Sequence, residues 1–137
     1  MTWASAVARP KRATHVLAPS SPVASGRPSF GREAVDWPHL VSLDFETFYD
    51  TDYTLSKLST SEYIRDPRFE ALMLGVKVGR GKRKVIPGPK IAAFLKTIDW
   101  STHSLLCHNT QFDGFILSHH YGVVPKRYYC SLSMARG

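Results

Sequence analysis

The sequence lacks any apolar run of the roughly 18–20 residues that a membrane span requires, so we expect no membrane partner. Only two cysteines are present, Cys107 and Cys130, too few for a disulfide-stabilised scaffold. This scarcity favours a reducing, cytoplasmic setting. Acids are also scarce, because 11 Asp and Glu stand against 18 Lys and Arg and give a formal net charge of +7. Such an excess favours polyanionic partners and leaves the fold open.

Hydrophobic residues make up 43% of the 137 positions and aromatic residues 12%, enough for one packed domain. The first 32 residues contain five Lys and Arg and no acid, and they are rich in Ala, Ser and Pro. We therefore predict a disordered basic tail over residues 1–36 and a domain over residues 37–137. The composition of the tail also fits an organellar transit peptide, or a start codon assigned too far upstream.

Regular patterning begins after Trp37, where Val41, Leu43 and Phe45 alternate with polar residues as in a β-strand. Further signals predict a short helix at 61–65, a hairpin of strands at 71–78 and 83–87, a helix opened by Pro89, a strand at 104–107, a helix from Asn109 or Thr110 to Tyr121, and a helical turn at 131–136. This order predicts an α/β fold, a mixed sheet with flanking helices.

Two carboxylates stand on the first predicted strand. Asp44 and Glu46 are two residues apart, so both project from the same face of the sheet. Their mutual repulsion would be relieved by a divalent cation such as Mg²⁺ or Mn²⁺, which prefers oxygen ligands. The alternative is a solvated strand face that binds nothing.

A second polar segment, Asn109 to Asp113, lies where a strand gives way to a helix. The two end residues are four apart and share one face of the helix near its N-terminus. A purely structural role is also open, with Asn109 as the helix cap and Asp113 as the complement of the helix dipole.

Together these segments resemble a known pattern. Residues 42–47 (SLDFET) resemble the first motif, and residues 108–113 (HNTQFD) the second, of the DEDD 3′–5′ exonucleases, the proofreading domains of family A DNA polymerases. The flanking segments 62–70 and 129–136 resemble polymerases of this family from bacteriophages and prophages. The resemblance covers about residues 38–137 and implies a ribonuclease H-like fold.

The resemblance implies a role for each matched residue. Asp44, Glu46 and Asp113 would be the catalytic ligands of two metal ions, Mg²⁺ or Mn²⁺, and Thr47 and Asn109 would lie beside the terminal nucleotide. The substrate would be a single-stranded or frayed 3′ end of DNA. Two metals about 3.5–4 Å apart activate the attacking water and stabilise the leaving oxygen.

The sequence departs from the family pattern after its second motif. The third motif supplies a fourth carboxylate, yet residues 114–137 contain no Asp or Glu. We therefore expect a fold that is incomplete at its C-terminus, a fragment or one part of a split polymerase, which cleaves poorly on its own. The alternative is a non-catalytic nucleic-acid-binding or interaction remnant on the same scaffold.

Two other groups of residues have open interpretations. The cations of the hairpin turn would contact phosphates or form a solvated turn that blocks edge pairing; they are Arg80, Lys82, Arg83 and Lys84. The histidines His108, His119 and His120 do not have the spacing of a zinc site.

Overall fold

The computed structural model describes residues 34–137, and its compact unit runs from Val35 to Gly137. The tail predicted over residues 1–36 lies, except for its last three residues, outside the described part. After a 3₁₀ turn at Trp37–His39, the elements are β1 (Leu40–Thr47), α1 (Thr60–Arg65), β2 (Ala71–Val78), β3 (Lys84–Pro87), α2 (Gly88–Leu95), β4 (Ser104–Cys107), α3 (Thr110–Tyr121), β5 (Tyr128–Cys130) and α4 (Ser131–Arg136).

The five strands form one mixed sheet in the order β3-β2-β1-β4-β5. Strand β1 is central: it pairs antiparallel with β2 on one side and parallel with β4 on the other. The hairpin partner β3 is antiparallel to β2, and β5 is parallel to β4. The predicted α/β architecture, a mixed sheet with flanking helices, is confirmed.

Alternation along β1 divides the sheet into two faces. Val41, Leu43 and Phe45 are buried and join a core with residues of β2, β4, α1, α2 and α3. On the opposite face Asp44 and Glu46 are exposed, as are Met73 on β2 and Val85 on β3. The helices that supply the core therefore pack on one face and leave the acidic face open to solvent.

Helix boundaries follow local chemistry. Ser59 caps α1 in a capping box with Glu62, in which each side chain accepts the backbone N–H of the other residue. Helix α3 ends at Gly122, which adopts the left-handed conformation that favours glycine after a helix. Within residues 34–137, no helix has the length and apolar character needed to cross a membrane.

An aromatic cluster anchors the loop between β1 and α1 to the core. Tyr53 is fully buried, stacks on Tyr63 at 4.3 Å between ring centroids, and donates a hydrogen bond of 2.7 Å to the Tyr63 carbonyl. Burial of two aromatic rings stabilises a loop that has no regular structure of its own. Tyr53 is therefore a core residue and is not available to stack on a nucleic-acid base.

Two details differ from the sequence-based expectation. Strand β5 was not predicted, because its three residues are too few to show alternation. In α3, the buried residues are Asp113, Gly114, Ile116 and Leu117, while Phe112, Phe115 and His119 lie at its margin or in solvent. The sequence pattern predicts one side formed by Phe112, Phe115, Ile116 and His119. Of these, Ile116 is buried, Phe112 and Phe115 are partly buried, and His119 is exposed.

The turn at Gly79 gives the first prediction. Its φ is +52°, and a Cβ there would lie 2.7 Å from the Pro38 carbonyl oxygen, whereas a Cβ at Gly122, with φ +63°, would meet nothing within 4 Å. We expect Gly122→Ala to lower the free energy of unfolding by about 1 kcal/mol, the cost of the left-handed backbone alone. Gly79→Ala should cost at least about 1 kcal/mol more because of the clash. Urea denaturation measures both; equal losses would contradict the close approach.

Candidate active site

The C-terminal half of β1 presents the two predicted acids. Asp44 and Glu46 both point into solvent from the open face, while Phe45 between them points to the core and stacks on Tyr121 at 5.8 Å between ring centroids. Opposite Asp44 on β2 lies Gly75, which has no side chain. The space beside the Asp44 carboxylate is therefore open, and the expected placement of both carboxylates on one face is confirmed.

Asp113 reaches the same strand from α3. Its side chain is 2% exposed, and its Oδ1 accepts the backbone N–H of Phe45 at 3.1 Å. Pairing between β1 and β4 ends at Ser42 and Leu106, so Asp113 supplies an acceptor to β1 beyond the last paired residue. The contact places the second predicted acidic segment directly against the first, between Asp44 and Glu46.

The electrostatics of Asp113 reflect this position. Burial raises the pKa of Asp113 from 3.8 to about 6, the Phe45 N–H opposes the shift, and the negative charge of Asp44 adds to it. Asp44 and Asp113 are thus close enough for their charges to repel. No ion pair among residues 34–137 involves Asp44, Glu46 or Asp113. Within residues 34–137, neither Asp44 nor Asp113 is therefore neutralised by a direct ion pair.

The three carboxylates fit the metal that the resemblance implies in chemistry but not in arrangement. Three carboxylates are chemically suited to Mg²⁺ or Mn²⁺. However, no group of three or more His, Cys, Asp or Glu side chains in residues 34–137 is arranged to hold a metal ion. The structure brings Asp44 and Asp113 together, while Glu46 is aligned with Asp44 without converging on the same point.

Thr47 lies at the end of β1, with its hydroxyl already engaged. Tyr63 donates its hydroxyl proton to the Phe48 carbonyl at 2.6 Å, so it accepts from Thr47 Oγ1 at 2.8 Å. This pairing ties β1 to α1. A nucleotide beside Thr47 would have to share or replace that hydrogen bond.

Asn109 is the N-cap residue of α3 by position, yet its side chain forms no capping hydrogen bond. Asn109 therefore does not cap α3 with its side chain, which was the purely structural role considered for it. Its backbone carbonyl accepts the N–H groups of Phe112 and Asp113, each at 3.0 Å, which holds the first turn of α3. The side-chain amide remains available to a ligand at the same sheet edge as Asp113.

A cleft of about 550 Å³ opens on the acidic face beside Asp44. Three exposed basic residues line it, Lys77 on β2, Arg83 before β3 and Lys84 at the start of β3. His108 lines it too, and its Nδ1 lies 3.0 Å from Ser131 Oγ. The sequence alone did not identify Lys77. Only the register between β1 and β2, which pairs Lys77 with Ser42, places it near Asp44. Lys84 differs, since its ammonium group lies over the Phe94 ring at 5.9 Å.

Two of the remaining histidines have structural contacts. His120 donates through Nε2 to the Ile64 carbonyl at 2.7 Å and stacks on Phe69 at 4.1 Å between ring centroids. His119 packs near Phe115 at 5.5 Å. The hydrogen bond of His120 joins α3 to α1, while the contact of His119 stays within α3.

Comparison with known proteins gives structural matches only. No protein-family model matches the chain, and no curated protein matches it. Among solved structures, NrnC of Brucella melitensis with bound Mg²⁺ is 18% identical, covers 72% of this chain and 47% of its own, and has a TM-score of 0.48. A second structure of Brucella melitensis NrnC is 21% identical, and the match covers 72% of this chain and 46% of that one, with a TM-score of 0.45. The chain spans about half the length of these structures.

The buried carboxylate predicts a pH-dependent stability. A folded pKa of about 6 against 3.8 means that Asp113 binds its proton more tightly in the folded state, so stability falls as pH rises from about 4 to about 6. Asp113→Asn keeps an oxygen acceptor for Phe45 and removes the charge. We expect it to raise the free energy of unfolding by up to about 3 kcal/mol near pH 7, and by little near pH 4. Urea denaturation across this range measures the difference.

The matched control is Glu46→Gln, which alters an exposed carboxylate on the same strand. It should change stability by less than about 0.5 kcal/mol at either pH. A pH-independent effect of Asp113→Asn, or a loss of stability at pH 7, would contradict the assigned environment.

Proposed function

We propose that residues 37–137 form the amino-terminal part of a DEDD-type 3′–5′ exonuclease domain of a bacteriophage-type DNA polymerase. In the intact protein it would hydrolyse the terminal phosphodiester of a single-stranded or frayed 3′ end, in the cytoplasm of a bacterial or phage-infected cell. The observation that supports this most directly is the Asp113–Phe45 hydrogen bond, which holds a buried carboxylate against β1 between Asp44 and Glu46.

The electrostatic imbalance at this point favours a cation. A buried carboxylate next to a second carboxylate is costly unless a positive charge compensates it. A divalent ion between Asp44 and Asp113 would favour their charged forms and would lower the pKa of Asp113 from its value of about 6. The same reasoning makes the metal-free protein less stable at neutral pH than in mild acid.

Within this proposal each residue has one task. Asp44 and Asp113 would hold the metal directly, and Glu46 would complete the donor set from the same strand face. The metal, when bound, would activate water and stabilise the leaving 3′ oxygen. Asn109 would contact the terminal nucleotide through its unpaired amide, and Thr47 would do so by exchanging its bond to Tyr63.

The chain supplies only three of the four carboxylates that the family pattern uses, because residues 114–137 contain no acid. The three also do not converge within the described part of the chain. We propose that a further segment, such as the remainder of a split polymerase, provides the missing carboxylate. The 137-residue chain alone should therefore bind metal weakly and should not turn over substrate.

Metal binding tests the proposal. Titration of the 137-residue chain with Mn²⁺, followed by electron paramagnetic resonance and calorimetry, should give a weak site with a dissociation constant above about 0.1 mM. Asp44→Asn and Asp113→Asn should each weaken it about tenfold or more, since each removes a charged ligand. Asp99→Asn, an exposed acid in the loop before β4, is the control and should have no effect. Equal binding by all four proteins would exclude the site.

The same preparations should not degrade a 3′-labelled single-stranded DNA with Mg²⁺ or Mn²⁺. Robust degradation by the wild-type chain, abolished by Asp44→Ala, would show that the three carboxylates suffice and that the proposal of an incomplete centre is wrong.

A second candidate function is nucleic-acid binding without catalysis, and the cleft beside Asp44 favours it. Neither Lys77 nor Arg83 forms an ion pair with another residue in 34–137. Cations near a phosphate backbone contribute salt-sensitive affinity. Both residues are therefore available to a polyanion.

Binding of fluorescent single-stranded DNA in EDTA separates the two candidates. If the chain only binds nucleic acid, Lys77→Gln with Arg83→Gln should weaken binding at least about tenfold and reduce its salt dependence. In that case Asp113→Asn should have no effect. Lys90→Gln is the control, because this exposed lysine on α2 does not line the cleft. Metal-dependent binding that is lost in Asp113→Asn would instead favour the nuclease.

A further inference from the structure

The two cysteines of the chain lie opposite each other in the sheet. Cys107 ends β4, Cys130 ends β5, and the parallel register pairs them directly. Residues paired across neighbouring strands point to the same face, and the strands are about 4.8 Å apart. A disulfide needs Cα atoms about 4.4–6.8 Å apart, so this placement meets the main geometric requirement. Both cysteines are free thiols in this structure.

Their sulfur atoms also share one neighbour. The Cys107 thiol donates to Thr110 Oγ1 at 3.6 Å, and the backbone N–H of Thr110 donates to Cys130 Sγ at 3.5 Å. Cys130 Sγ lies 3.5 Å from the His108 carbonyl oxygen as well. Both thiols are therefore directed to the first residue of α3, and neither is turned away from the other.

The environments of the two thiols differ in a way that suits sequential oxidation. Cys107 is 4% exposed, and burial raises its pKa to about 11. Cys130 is partly exposed, and hydrogen bonds from Ser133 and Thr110 lower its pKa to about 6. An accessible thiolate reacts first with an oxidant, and a neighbouring thiol then resolves the product.

We propose that Cys107 and Cys130 are a redox pair, which a peroxide converts to a disulfide joining the ends of β4 and β5 beside the start of α3. The inference is independent of the proposed nuclease function, because it needs neither metal nor nucleic acid. It assigns to these residues a role beyond packing.

The reaction has two steps. The Cys130 thiolate attacks one peroxide oxygen, the O–O bond breaks, and a sulfenic acid and hydroxide form. The Cys107 sulfur then attacks the Cys130 sulfur, the S–O bond breaks, and the hydroxyl group leaves as water with the Cys107 proton. In sum, two thiols lose two electrons and two protons, and one hydrogen peroxide becomes two waters. A dithiol reductant reverses the change.

Oxidation would alter the first turn of α3. The disulfide converts the Cys130 sulfur from a charged acceptor of the Thr110 N–H into a neutral, weaker one. It would also fix the three-residue edge strand β5 to β4 covalently. We expect the oxidised protein to be more resistant to local opening at residues 128–130 than the reduced protein.

The test is mass spectrometry of the folded 137-residue chain after treatment with a small excess of hydrogen peroxide. The intact mass should fall by two hydrogen atoms, and trypsin should release peptide 97–126 linked to peptide 128–136, which carry Cys107 and Cys130. A dithiol should separate the two peptides. Before oxidation, Cys130 should react with iodoacetamide near pH 7 at least about tenfold faster than Cys107.

Serine variants identify the order of events. Cys107→Ser should stop at a Cys130 sulfenic acid that a dimedone probe captures, and Cys130→Ser should remain a thiol under the same treatment. The proposal is overturned if folded wild-type protein forms no linked peptide while Cys130 is oxidised, or if it forms only links between two chains. Formation at the same rate in urea would overturn it too, since the fold would then not bring the thiols together. These wild-type readouts decide the question even if a variant fails to fold.

Discussion

The hydrogen bond from the Phe45 backbone to the Asp113 carboxylate is the contact on which the geometry of the candidate site depends. It fixes the start of α3 against the part of β1 that β4 no longer pairs. It also sets the electrostatics of the site. The placement that lets Asp113 accept the Phe45 N–H removes the Asp113 carboxylate from water beside Asp44. The bond favours the ionised form of Asp113 and burial opposes it, and burial is the stronger effect. The protein thus keeps an acid in a position where a neutral amide, which also accepts a hydrogen bond, would cost less to bury.

Candidate site residues and both thiols lie near the edge of the sheet where β1, β4 and β5 end. Cys107 and Cys130 are the last residues of β4 and β5, while Asn109 and Asp113 lie at the N-cap and in the first turn of α3. Parallel strands β1, β4 and β5 bring their carboxyl ends to a common edge, which is where α/β sheets usually place ligands. Asp113 lies in the first turn of α3, and both thiols contact Thr110 at the start of the same turn.

Local signals were enough to predict β1, β2, β4 and α3 with their bounds, because alternation, a helix start and a terminal glycine all operate within a few residues. The face shared by Asp44 and Glu46 followed from strand periodicity alone. Features set by distant pairing were not predictable, because the short strand β5 and the position of Lys77 beside Asp44 both depend on pairing between strands. Asn109 shows the same limit, since its residue type indicates a cap and only the folded geometry shows that no capping bond forms.

The span of the Asp113–Phe45 contact also bears on the order in which the chain assembles. The two residues are 68 positions apart, whereas the β2–β3 hairpin closes within a single turn. Because chain entropy makes distant contacts slow to form, we expect the hairpin to form before α3 docks onto β1. The Asp113 carboxylate would then stay hydrated until the docking step that buries it.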